Sequence, residues 1–153
     1  MIFMAEAMFT FKFESSLNYR KMVEERKLAA FTETKAKLAR ENEILAGIQN
    51  EQRRTKEQFK KMQEHSFNAE DVAVHLSYIK LYKEKEILQQ EIVKKVNREV
   101  EAARNELLDA VKDRKIMDNL KERQLQEFND ALADYERKTA DETAVMAFIR
   151  NKP

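Results

Sequence analysis

Two histidines, His65 and His75, and a dense population of Glu and Asp are the side chains in this chain that could ligate a metal or move protons. The histidines stand ten residues apart, with no paired carboxylates at metal-ligand spacing beside them, so they read as ordinary surface or seam residues. The carboxylates recur among Lys and Arg at helical spacing, the pattern of solvated faces and i,i+4 pairs and not of acid/base dyads. No cysteine is present, which excludes disulfides, thiolate metal sites and Cys nucleophiles and fits a reducing cytoplasm. One glycine cannot form a phosphate-cradling loop, and no nucleophile elbow or nucleotide fingerprint appears. The expectation is a protein that is not an enzyme and needs no cofactor.

The elements that carry these residues must be helices. The 153 residues include one Gly and one Pro, the last residue, no Trp, and 37% charged residues, a composition almost free of helix terminators. With 29 basic and 28 acidic residues the net charge is +1, which argues against a surface built to neutralise phosphates, so no nucleic-acid partner is expected. Glu6 and Lys12 interrupt the apolar start Met1 to Phe13, no basic region precedes it, and it reads as part of the mature protein. No run of about 18 apolar residues exists, so no membrane span is expected.

Periodicity divides the chain into two helices and one turn, an all-α antiparallel two-helix coiled-coil hairpin forming a single domain over 1–153. The first helix is expected over about 14–64, with a start anywhere from Thr10 to Leu17. Its apolar residues recur at sevens in Leu17, Phe31, Leu38, Leu45 and Phe59, with Glu24 and Gln52 at the missing steps and Lys35, Asn42 and Gln49 in the interleaved places. A stripe this narrow needs a partner along its length. Gly47 inside it costs about 1 kcal/mol relative to Ala and reads as a tolerated weak point, with a hinge as the other reading. The turn is expected at 65–68, where Asn68 is a good N-cap and Asp71 complements the helix dipole. The second helix, about 69–150, has no Gly or Pro inside it and would span roughly 120 Å. If the turn centres near Ser66 and Phe67, residue i faces 133 minus i, Thr10 meets the neighbourhood of Arg123, and the end of the second helix overhangs.

In that second helix Ile92, Val96, Val100, Ala103, Leu107 and Val111 suggest a period near 3.6 and little supercoiling. The overhang differs. Phe128, Leu132, Tyr135, Thr139, Glu142, Met146 and Ile149 alternate steps of four and three, the seam of a coiled coil with nothing evident in the molecule to cover it. Free in solution, this end is expected to exchange its amides rapidly beyond about Arg123. Aromatics gather in two other places. Phe9, Phe13 and Leu17 would share a helical face, whereas Phe9, Phe11 and Phe13 alternate as an extended arm would, and the spacing leaves both open. Phe59, Phe67, Tyr78 and Tyr82 lie near the turn, either capping its small core or facing a partner.

The opening Phe9-Thr10-Phe11-Lys12-Phe13-Glu14, then Leu17 and Arg20-Lys21, resembles the start of the FliJ family, coiled-coil components of the bacterial flagellar type III export apparatus. Leu120-Lys121-Glu122-Arg123, Phe128, Tyr135-Glu136-Arg137-Lys138 and Asp141-Glu142 are similar to that family's C-terminal signature. The resemblance implies a hairpin like the stalk of rotary ATPases, cytoplasmic and peripheral at the inner face of the cell membrane. Its implied partners are the export ATPase ring, the cytoplasmic domain of the export gate and the export chaperones, whose cycling it would assist. Carried onto this sequence, the ATPase-facing residues are Leu120, Phe128, Leu132, Tyr135, Glu142, Met146 and Ile149. The gate-facing ones are Ile48, Gln52, Thr55, Tyr78 and Tyr82, although the stretch around Ile48 lacks tyrosines often found there. Isolated, such a protein would be a monomer or weakly self-associating. Two other readings stand beside this one: the equivalent stalk of a virulence-type III secretion system, and a self-associating structural coiled coil with no export role.

Overall fold

The structure, a computed structural model, describes residues 8–65 and 68–152. Two helices account for most of them: α1, Glu14–Gln63, and α2, Ala69–Arg150, packed against each other as a hairpin coiled coil with α2 the longer. The helical expectation from composition holds nearly to the residue. The turn is closed from the α1 side by the short i to i+3 bonds of Glu64 and His65 to the carbonyls of Lys61 and Met62. On the α2 side Asn68 is the N-cap, its Oδ1 accepting from the Glu70 amide at 3.3 Å. Ser66 and Phe67, where the turn was centred, and Met1–Ala7 lie outside the described residues.

The chain divides into two compact units: Glu25–Asp109, and the described residues of Met1–Glu24 with Ala110–Pro153. Each is held by the same kind of seam. In Glu25–Asp109, α1 turns inward two rows spaced by seven, Phe31, Leu38, Leu45, Gln52 and Phe59 with Lys27, Thr34, Glu41, Ile48, Thr55 and Met62. The interleaved row is thus one residue earlier than Lys35, Asn42 and Gln49, which are exposed. Their polarity is that of an outer face, and the inner row carries Ile48 and Met62 where a seam requires them.

The α2 rows are equally regular. Tyr82, Gln89, Val96 and Ala103 alternate with Glu86, Val93, Val100 and Leu107 in steps of three and four, the repeat of a left-handed coiled coil. This corrects the 3.6-period reading: Ile92 is largely exposed, Val93 is the seam residue, and Ala110 lies deeper than Val111. Large apolar residues just off the seam drew the expected line away from smaller ones on it. Val96 is fully buried and Val100 nearly so, and between the valine rows and the turn the seam holds one buried polar side chain, Gln89. Its Nε2 donates to the Glu41 carbonyl and carboxylate at 3.0 and 2.6 Å. A buried polar group satisfied in one alignment only favours that alignment over slipped ones.

The other unit joins the start of α1 to α2 beyond Ala110. Leu17 is completely buried and Phe11 nearly so. Glu24, a missing apolar step by sequence, is a paired seam position: it accepts from Arg114, which also donates to Asp118. Both contacts raise the guanidinium pKa further, with the Glu24 bond the larger cause. Arg20 with Asp113 and Lys27 with Glu106 obey the register in which i faces 133 minus i. The other cross-helix pairs depart from it by at most about a turn and a half.

Residues 8–11 are not helical, and α1 begins only at Glu14, after a turn in which the Glu14 amide donates to the Phe11 carbonyl at 3.2 Å. Burial alternates along the arm: Met8, Thr10 and Lys12 are exposed, Phe9 is half-buried and Phe11 buried. That is the period of an extended segment lying on a surface. Phe9 meets Phe128 with ring centroids 5.7 Å apart, and Lys121 Nζ lies 5.9 Å from the Phe11 ring while also pairing with Glu14 at 2.8 Å.

Candidate functional site

Past Phe128, α2 continues as helix to Arg150 while the cover supplied by α1 and the arm runs out. Leu132 is half-buried; from 133 to 152 Ala147 alone among the described residues is not classed as exposed. The contacts here are short-range: Arg137 pairs with Asp134, which supports the helix, and the Thr139 and Thr143 hydroxyls are satisfied by the carbonyls four residues earlier.

Just before its last residue, Arg150, the helix carries an unbroken apolar run. Residues 144–149 read Ala-Val-Met-Ala-Phe-Ile, and Val145, Met146, Phe148 and Ile149 are each more than half exposed. At 100° per residue these four fan over an arc of about 160°, with Ala144 and Ala147 on the other side of the helix. Preceding them, Tyr135, Glu136, Thr139, Ala140, Thr143, Ala144 and Ala147 line a shallow apolar face. Of the seam expected from sequence, Tyr135 and Thr139 border this face, Glu142, Met146 and Ile149 are exposed elsewhere on the helix, and Phe128 is occupied by Phe9. Leu120 is half-buried in the hairpin. Val145 and Phe148 were not singled out by the seam reading because they are off its steps; the signal for them was the unbroken apolar run.

The second set of expected residues does not form one surface. Ile48, Gln52, Thr55 and Tyr82 are half-buried in the rows by which α1 and α2 face each other, whereas Tyr78 points outward and is half exposed. Tyr78 belongs with Val74, Leu81, Leu88 and Ile92, all substantially exposed and repeating in steps that sum to seven along the outer side of α2. Ala73, Val74, Ser77, Tyr78 and Leu81 line a shallow depression there. Near the turn Phe59 stacks on His75 at 6.3 Å, and His75 Nδ1 lies 2.9 Å from the Asp71 carbonyl. Among the described residues no group of three or more His, Cys, Asp or Glu is placed to hold a metal, and no helix is long and apolar enough to cross a membrane.

The described residues thus form a coiled-coil hairpin with paired polar seam positions and an exposed apolar run at the end of α2. The family model described as "Flagellar FliJ protein" matches residues 9–153, and the chain belongs to that family, a component of flagellar type III export. Among solved structures, one described as a putative YscO homolog, CT670, from Chlamydia trachomatis is similar at 20% identity and a TM-score of 0.47, covering 93% of this chain and 94% of that one. No curated protein matches the chain.

Proposed function

We propose that the chain is a stalk-like adaptor of the flagellar export apparatus, its α2 end seated inside the ring of the export ATPase. The observation that carries this reading is the exposed apolar run at the end of α2, broader than a single coiled-coil stripe. A narrow seam suits a single coiled-coil mate, whereas large apolar side chains fanned over about 160° of a helix, with alanines behind them, are better covered by a surface that curves around it. The central opening of a ring encloses it; a flat surface does not. Burying each of the four large side chains there is worth about 1.5–3 kcal/mol before the cost of ordering. Seating the end in the ring would hold the protein at the cytoplasmic side of the membrane without a span of its own.

The outer apolar line through Val74, Tyr78 and Leu81 is the better candidate for the export gate's cytoplasmic domain. Ile48, Gln52, Thr55 and Tyr82 are engaged between the helices and would support that surface from behind. Assistance to export chaperones is the third part of this reading and draws on family membership alone.

Replacing both Met146 and Phe148 with Asp tests the docking end. Both side chains are 70% exposed, so the thermal midpoint should stay nearly unchanged while affinity for the cognate ATPase falls at least about tenfold, the equivalent of about 1.4 kcal/mol. Unaltered affinity would remove the α2 end from the interface. A tight homodimer of the native protein that is lost in the same variant would instead favour a self-associating coiled coil.

A further inference from the structure

The outer apolar line of α2 has the spacing of a second coiled-coil seam. We propose that it is an antiparallel homodimer interface, with Val74 opposite Ile92, Tyr78 opposite Leu88 and Leu81 opposite Lys85 of a second copy of this chain.

The spacing comes first. Val74, Tyr78, Leu81, Leu88 and Ile92 are 42–67% exposed, and Lys85 fills the one missing step, so the line advances by four and three in strict alternation. It is separate from the seam that α1 covers. Leu81, Lys85, Leu88 and Ile92 each stand one residue before a member of the inner rows, Tyr82, Glu86, Gln89 and Val93. One residue is about 100° of helix, so a mate on the outer line lies beside α1 and does not compete with it.

The charges name the mate. The next steps beyond the apolar line are Asp71 at one end and Lys95 at the other, both exposed. With Val74 opposite Ile92, two antiparallel copies bring Asp71 of each against Lys95 of the other, an ion pair at both ends of the seam. The Lys85 stem lies along Leu81 of the second copy, while its ammonium, 5.6 Å from the Tyr82 ring of its own chain, stays at the edge. Other alignments lose this match. Parallel copies set Lys85 on Lys85, Lys95 on Lys95 and Asp71 on Asp71; sliding the antiparallel pair by one heptad sets Lys95 on Tyr78 or Asp71 on Leu88. End charges of this kind contribute little affinity and fix orientation and register.

Covering the five apolar side chains in both copies removes on the order of 1,000 Å² of surface, the lower limit for a specific interface, so the dimer is a weak one. It does not depend on the export reading. Where that reading holds, the dimer covers the line given to the export gate, and the two associations exclude each other.

Sedimentation equilibrium of the full-length protein from about 1 µM to 1 mM should show monomer passing into dimer, and Leu88→Asp should weaken that dimer at least about tenfold. Leu88 is 67% exposed, so the melting curve of the dilute variant should match that of the native protein. A monomer throughout, or a dimer that Leu88→Asp leaves intact, would overturn the proposal. Charge exchange reads the register: Asp71→Lys and Lys95→Asp should each weaken the dimer severalfold, and the chain carrying both should recover it. Failure to recover would overturn the pairing proposed. Met146→Asp combined with Phe148→Asp should leave this dimer unchanged, whatever it does to ATPase affinity; loss of the dimer there would move self-association to the end of α2 and overturn the proposal equally.

Discussion

At the scale of single residues, the hairpin is held by a few fully enclosed side chains and a longer series of exposed ion pairs. Leu17 has no exposed surface, so Leu17→Ala should cost about 2–5 kcal/mol and lower the denaturation midpoint accordingly. A loss under about 1 kcal/mol would mean that the arm and α2 collapse into the space. The ion pairs contribute differently. Lys37 donates to Glu99 across the hairpin at 2.7 Å, and this hydrogen bond is the leading cause of a Glu99 pKa below its ordinary value. A depressed carboxylate pKa contributes stability above the unfolded value, about 4.3 for Glu, and loses it as pH falls through the folded value. Lys37→Met should therefore lower the melting temperature slightly at pH 7, and the gap from the native protein should close as pH drops towards about 3. A gap independent of pH would show that the pair contributes packing and not charge.

At the scale of the helices, the seam is regular enough that its weak points can be named. A Cβ built on Gly47 meets no atom within 4 Å, and its backbone is ordinary helix. Gly47→Ala should stabilise the protein by up to about 1 kcal/mol, a rise of about 2–4 °C in melting temperature. If Gly47 serves as a hinge, the same change should instead impair export while leaving stability raised, which a motility assay beside the melting curve would reveal. Much of this scale was legible in the sequence: both helices, the Asn68 cap and the register follow from the scarcity of Gly and Pro and from the apolar sevens. The α2 seam was not, because its rows include Gln89 and Arg114, and a reading that follows large apolar residues steps off the line at each. Polar seam positions become visible only with their partners, Glu41 and Glu24, on the facing helix. The extended arm was undecidable for a similar reason: Phe9, Phe11, Phe13 and Leu17 satisfy two periods, and the site on α2 that accepts Phe9 decides between them.

At the scale of the whole molecule, membership of the FliJ family and the hairpin fold agree with the resemblance carried by the two ends of the sequence. For the proposed site, the heptads after Phe128 drew attention to the exposed end of α2, but the seam pattern implied one coiled-coil mate, and the exposure of Val145 and Phe148 beside Met146 and Ile149 makes the apolar face broader than that seam. The residues expected to face the gate do not share one surface, since four of the five lie between the helices, and which face a heptad position presents depends on the true seam of α2. The central claim is that the end of α2 is the ATPase-docking element. Amide hydrogen exchange, measured on the protein alone and with the cognate export ATPase, tests it most directly. The account predicts a marked slowing over Phe128 to Ile149 on adding the ATPase, extending through the apolar run at 144–149, with little change in the Val96 to Val100 seam. Unchanged exchange over 144–149 in a complex shown to have formed would contradict it.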